Sequence, residues 1–383
     1  MLALLLLACP SPGRAQDGDA ETGSAGTQSV EETIDRVIGE LDFSQLEGLT
    51  VPGMEEADVA GAVRRFASGE TVSVEALVSD VLSALFAQLG RLGPLLLSLM
   101  LPMLLLSILS HLLLGENDAL AGLAHSACFV LLLIPMVTLT IRELSHTRSA
   151  IVSMTTQMDK MLPLLLTLLT AVGGSASSAF FHPVVVAASG SMVYLAREVI
   201  LRLVMCTCAV TAVNHLSDGM HLTRMAQLLR SAVCWLLGVS FTVFLGAMSL
   251  QGVCSASVDG VAIRAAKYAV DNFVPVVGGM FSDTMDTLVG CTLIVKNALG
   301  VASVLVLCAA LLGPLLQTLA SVFALKLGAA LLEPVADAEV IRAIGDFSRT
   351  IVLFLITMLC VGTMYFLLIV QMLLVGNLTV MLR

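Results

Sequence analysis

Charge is what this chain has least of. Of its 383 residues only 13% are Asp, Glu, Lys or Arg, while 57% are hydrophobic and the mean hydropathy is +0.97. Soluble domains carry about 25% charged and about 45–50% apolar residues, so this composition excludes a soluble fold. Basic residues are the scarcer sign, with 19 Lys and Arg against 29 Asp and Glu. Phosphate binding needs clustered Lys and Arg, and their scarcity beside an acidic N-terminal region argues against nucleic acid as a partner.

Catalytic constellations are missing too. The nine cysteines form no framework: Cys128, Cys206, Cys208, Cys234, Cys308 and Cys360 sit in apolar runs, where Cys acts as a small hydrophobe. Cys206-Thr207-Cys208 has the wrong spacing for a zinc knuckle or a redox pair. The six His are dispersed, with no HExxH, no His–carboxylate cluster and no phosphate-binding Gly-Lys loop. The chain therefore reads as a non-enzyme without metal or cofactor, and energy for any transport would come from a partner or a gradient.

What is present is apolar length. Almost all of the hydrophobic excess lies after Leu92, in runs able to cross a hydrocarbon core about 30 Å thick. Leu92–Leu114, Leu120–Ile141, Ala232–Val253, Leu299–Leu332 and Ile351–Val375 read as spans, the fourth interrupted by Gly313-Pro314. The expected fold is all-α: a polytopic membrane protein with internally repeated helical units, broken or re-entrant segments and a small acidic extracytoplasmic helical region at its N-terminus.

That N-terminal region divides at residues 15 and 91. Leu2–Ala8 is a short apolar run followed by Pro10, Pro12 and Gly13, and Gly13-Arg14-Ala15 offers small residues for cleavage before Gln16, so 1–15 reads as a signal peptide. It lacks a basic start, and Leu6-Leu7-Ala8-Cys9 offers a lipobox as the alternative. Residues 16–91 hold roughly half of all Asp and Glu, and Val30, Ile34, Val37, Ile38 and Leu41 share one helix face. Residues 92–383 form the multipass domain. If the head is exported, Leu92–Leu114 runs inward and leaves Arg142, Arg148 and Lys160 outside. That contradicts the positive-inside rule, so either one segment does not span or the head is not exported by a simple signal.

A device occurs twice within that domain. Met158-Asp159-Lys160-Met161-Leu162-Pro163 leads to Gly173-Gly174, and Val270-Asp271-Asn272-Phe273-Val274-Pro275 leads to Gly278-Gly279, with Ser282 and Asp283 close behind. Each copy lies beside an apolar stretch broken by Gly, Ser and charge, 162–213 and 274–300. A looser order of polar step, short amphipathic helix and span recurs after Glu116, after Ser217 and after Glu333. These similarities predict repeat units near 144–253 and 256–375. Unsatisfied backbone cannot face lipid, so paired Gly-rich breaks suit unwound or re-entrant chain lining a path. Small residues also serve close helix packing, and that alternative stands beside it.

Charges inside the apolar stretches allow two readings as well. Glu198 and Arg202 have the i, i+4 spacing of an intrahelical pair next to Arg197, and Asp283, Asp286 and Lys296 interrupt the later stretch. They either face a bundle interior or polar path, or mark where a helix leaves the membrane. The candidate path or packing residues are Asp159, Pro163, Gly173, Gly174, Asp271, Asn272, Pro275, Gly278, Gly279, Ser282, Asp283 and Lys296.

The stretch from Ser255 to Cys291, SASVDGVAIRAAKYAVDNFVPVVGGMFSDTMDTLVGC, closely resembles the signature region of the stage III sporulation protein AE family, multipass membrane proteins of endospore-forming bacteria. The similarity continues through Lys296-Asn297-Ala298-Leu299-Gly300 and includes the earlier LPLLLTLLTAVGG run and the acidic head. The resemblance implies a membrane component of a channel or secretion-like complex connecting mother cell and forespore. It also implies a place in the mother-cell-derived membrane around the forespore. Implied partners are the other stage III sporulation A-operon proteins, including an ATPase and ring subunits, and forespore stage II sporulation protein Q, besides the lipid bilayer and further copies of the chain. A secondary transporter and a non-conducting scaffold for ring-forming partners are the alternatives.

Overall fold

The structure, a computed structural model, describes residues 59–68, 118–172, 175–216, 222–273, 278–334 and 338–381, with scattered helical positions between 33 and 101. For 118–128, 252–273 and 278–286 only the course of the backbone is described. The signal peptide, most of the acidic head, most of Leu92–Leu114, Gly173-Gly174 and Pro275 lie outside the described residues.

Among the described residues there are helices and no strand. We number them α1 (Val59–Ala67), α2 (Asp118–Ala171), α3 (Ser175–Tyr194), α4 (Leu201–Leu216), α5 (Thr223–Phe273), α6 (Gly278–Leu332) and α7 (Ala338–Met381). A π-helical turn, Leu195–Ile200, joins α3 to α4 without a break. Among the described residues, five stretches are long and apolar enough to cross a membrane: Phe129–Ala171, His182–Leu216, Thr223–Gln251, Thr287–Leu332 and Ala338–Asn377.

The helices are longer than the hydropathy pattern suggests. α2, α5 and α6 hold 54, 51 and 55 residues, which at 1.5 Å per residue is roughly 75–80 Å, more than twice a hydrocarbon core. The basic segments Arg224–Arg230 and Arg342–Arg349, expected as separate short helices, are instead the opening turns of α5 and α7 and run on into the spans. Gly278 and Gly279 stand in the first turn of α6, so at this copy the glycine pair opens a helix. α6 ends one residue before Glu333-Pro334, where proline cannot continue the hydrogen-bond ladder; Glu333 N–H still bonds back to Ala329 at 3.0 Å.

α6 and α7 form the centre as an antiparallel pair. Gly300 receives the side chain of Leu373 and Gly362 that of Leu311, so a missing Cβ on each helix admits a large residue from the other. In each of these two helices 61% of the most apolar stretch is buried, against 22% in α5, which lies outermost. α2 packs along both, α5 runs parallel to α7, and α4 runs antiparallel to them. The described part of the head is not a separate body: Val59, Ala62 and Val63 of α1 are fully buried in the same core as Leu299, Ala302 and Phe354.

Candidate functional site at membrane depth

Three contacts place α2 against the centre of the bundle. Glu143 bonds to Thr318 and Ser321 of α6, Ser303 of α6 meets the Met161 sulfur at 3.4 Å, and Tyr365 of α7 donates to Thr155 at 3.1 Å. α2 is therefore antiparallel to α6 and parallel to α7. No Asp, Glu, Lys or Arg occurs between Arg349 and Arg383 of α7, or between Lys296 and Lys326 of α6. Tyr365 lies 16 residues past Arg349, about 24 Å along the helix, well inside that uncharged slab.

Thr155 shares that depth, and the polar middle of α2 lies around it. Arg148 is seven residues before Thr155 and Asp159 four after, about 10 and 6 Å along the axis. Arg142, Ser145, Arg148, Ser149, Ser153, Thr156 and Asp159 are all exposed and recur at three- and four-residue intervals, which puts them on one face. Ile141, Val152 and Pro163 are the apolar members of that face. The outward face of α5 is of the opposite kind: Leu228, Trp235, Val239, Val243 and Leu250 are 40–72% exposed. α5 presents what lipid tolerates; α2, within about 10 Å of Thr155 along its axis, presents the guanidinium of Arg148, the carboxylate of Asp159 and three hydroxyls. A charge facing lipid near mid-bilayer costs at least about 2.5–3.5 kcal/mol, so this face of α2 meets water or protein.

The π-helical turn carries a second polar patch. Arg202 donates to Glu198 as the i, i+4 pair that the spacing predicts. His215 of α4 meets Asp346 of α7, and Glu198 lies 17 residues back from His215, about 26 Å deeper into the bundle. π-turns are rare and recur at functional sites.

Two other polar centres close the ends of the bundle. At one end Asp346 accepts from His215 Nε2 at 3.1 Å and Arg230 Nη1 at 3.0 Å, while Arg230 Nη2 reaches the Asp346 carbonyl at 3.1 Å and Thr211 at 3.3 Å. This knot ties α4, α5 and α7 where each enters the slab. At the other end Lys296 is fully buried, donates to the Leu373 carbonyl at 3.0 Å and packs against the bare Cα of Gly376. Among the described residues it has no acidic partner. Lys296 therefore faces the α6–α7 interior.

The remaining sequence candidates are dispersed. Asp159 and Pro163 are exposed on α2 at slab depth. Asp271 and Asn272 close α5, 20 residues past Gln251, and Gly278, Gly279, Ser282 and Asp283 open α6, at least 13 residues before Lys296. The second Asp-Pro step is thus a helical junction about 20 Å or more along α6 from Lys296. The two copies occupy different places along their helices: one is within α2, the other between α5 and α6. Glu143, Asp346, His215 and Tyr365 escaped the sequence reading. Their long-range partners, each over 100 residues away, leave no mark in the sequence.

These features define a class: a polytopic α-helical membrane protein with polar groups built into its interior and onto one face at membrane depth. The model of the stage III sporulation protein AE family matches residues 57–376, including the Ser255–Cys291 stretch, and the chain belongs to that family. Stage III sporulation protein AE of Bacillus subtilis (strain 168) is 28% identical over 395 residues, covering 100% of this chain and 98% of that protein. No solved structure matches. Membership implies a role in sporulation.

Proposed function

We propose that this protein is the membrane component of the channel or secretion-like complex connecting mother cell and forespore, and that the polar face of α2 borders its aqueous path. The observation that carries the reading is the row Ser145–Arg148–Ser149–Ser153–Thr156, exposed at the depth where α6 and α7 are uncharged. Several copies, or one copy with a partner helix, would turn such faces toward a shared water-filled centre and their apolar α5 faces toward lipid. The role is non-enzymatic: the protein forms a passage, and an ATPase supplies energy. The ATPase and ring subunits of the stage III sporulation A operon and forespore stage II sporulation protein Q are the partners this assigns, in the mother-cell-derived membrane around the forespore.

The test is a double substitution, Ser153→Leu with Thr156→Leu, in sporulating cells. Passage of a small reporter into the forespore and late forespore gene expression should be lost while the protein still co-purifies with its partners. Loss of co-purification would favour the scaffold reading, and unchanged passage would remove the α2 face from any path.

A further inference from the structure

On the side of α2 turned away from the polar face, Glu143 is 1% exposed. Its Oε2 accepts from Thr318 Oγ1 at 2.8 Å and its Oε1 from Ser321 Oγ at 2.6 Å. Among the described residues no Lys, Arg or His pairs with it. A lone carboxylate buried in protein leaves one negative charge to be balanced. One helical turn further, Thr147 is fully buried and its hydroxyl has no partner. Thr140, Thr207, Thr211, Thr350 and Thr357 are equally buried, and each donates to the carbonyl four residues earlier. Thr147, with that option open to it, leaves its hydroxyl without a partner, four residues past Glu143 and so on the same face of α2.

We propose that Glu143, Thr147, Thr318 and Ser321 form a binding site for one small monovalent metal cation, Na⁺ in the first instance. The donors are all hard oxygens, which suit alkali and alkaline-earth ions and not zinc or copper. The single carboxylate sets the charge: one negative group neutralises a monovalent ion, whereas Ca²⁺ sites gather several carboxylates. A proton on Glu143 would also balance charge but would leave the Thr147 hydroxyl stranded; a metal ion takes it as a ligand. The hydroxyls of Thr318 and Ser321 rotate to present lone pairs, and the ion clamps α2 to α6.

The experiment is thermal unfolding of the full chain in lipid nanodiscs, titrated with NaCl at ionic strength held constant by choline chloride. The midpoint should rise and saturate with Na⁺ for the unaltered protein and stay flat for Glu143→Gln. Thr147→Val keeps the shape and removes the hydroxyl; it should move half-saturation at least fivefold to higher Na⁺. If Thr147 is only structural, that variant is unchanged or more stable at every Na⁺ concentration, with the same half-saturation. A midpoint indifferent to Na⁺, one that follows pH alone, or one that responds to Ca²⁺ at far lower concentrations would each overturn the proposal.

Discussion

Tyr365 of α7 donates its phenolic hydrogen to Thr155 of α2 at 3.1 Å, and this contact sets the depth of the polar face. Tyr365 is almost completely buried in the uncharged stretch of α7 that follows Arg349, while Thr156, the next residue of α2, is exposed. A single α2 turn therefore touches both the dry centre of the bundle and the face that cannot meet lipid.

That division makes the two outward faces respond oppositely to polarity. Replacing Val243 of α5 by Ser should weaken membrane insertion or stability by no more than about 1–2 kcal/mol, because it exposes one hydroxyl to lipid. Replacing Ser153 of α2 by Leu should leave stability within about 0.5 kcal/mol, as for other surface substitutions, yet abolish sporulation. Spore counts set beside unfolding midpoints in detergent give both readouts; a Ser153→Leu strain that sporulates normally would contradict the role given to α2.

Lys296 and Gly376 form a coupled pair. A Cβ at Gly376 would collide with Lys296 Nζ, so Gly376→Ala should cost about 1–3 kcal/mol as an overpacking change. Methionine ends one atom shorter and carries no charge. Lys296→Met should then be near neutral alone and should remove part of the Gly376→Ala penalty, since its terminal carbon takes the place of Lys296 Cε, 2.6 Å from that Cβ. Unfolding of the four members of this double-mutant cycle measures the coupling. Equal penalties in both backgrounds would separate the two residues.

Much of this architecture is legible in the sequence and much is not. Ala232–Val253, Leu299–Leu332 and Ile351–Val375 all fall inside observed helices, because a long apolar run in a bilayer has few alternatives to helix. Helix ends were not legible: helices that continue past the bilayer lose the hydropathy contrast that marks a boundary. The Ser145–Ser149–Ser153 spacing on α2 was equally readable, but its depth was not, since that rests on Thr155 meeting a tyrosine 210 residues away. For the same reason Asp346 gave no signal as a hub. Its partners Arg230 and His215 arrive from other helices, while its near neighbour Arg349 contributes least.

The Asp346 knot supplies a graded test. Arg230 and His215 are 14% and 8% exposed, whereas Arg349 is 73% exposed and its contact is 3.5 Å long. Asp346→Ala strands a buried guanidinium and should cost about 3–5 kcal/mol. Arg349→Ala, a solvated partner, should cost under about 1 kcal/mol. Denaturant titration in micelles checks the ranking, and comparable losses would show that burial does not govern this network.

The central claim, that the polar face of α2 meets water within the membrane, is tested most directly by thiol accessibility. Cys206 and Cys234, both exposed, are first replaced by Ser. Ser153→Cys and Val243→Cys are then compared in membranes from sporulating cells, using a charged, membrane-impermeant thiol reagent. The account predicts rapid labelling of the α2 variant and protection of the α5 variant. Equal protection of both would mean that lipid or protein, and not water, covers α2.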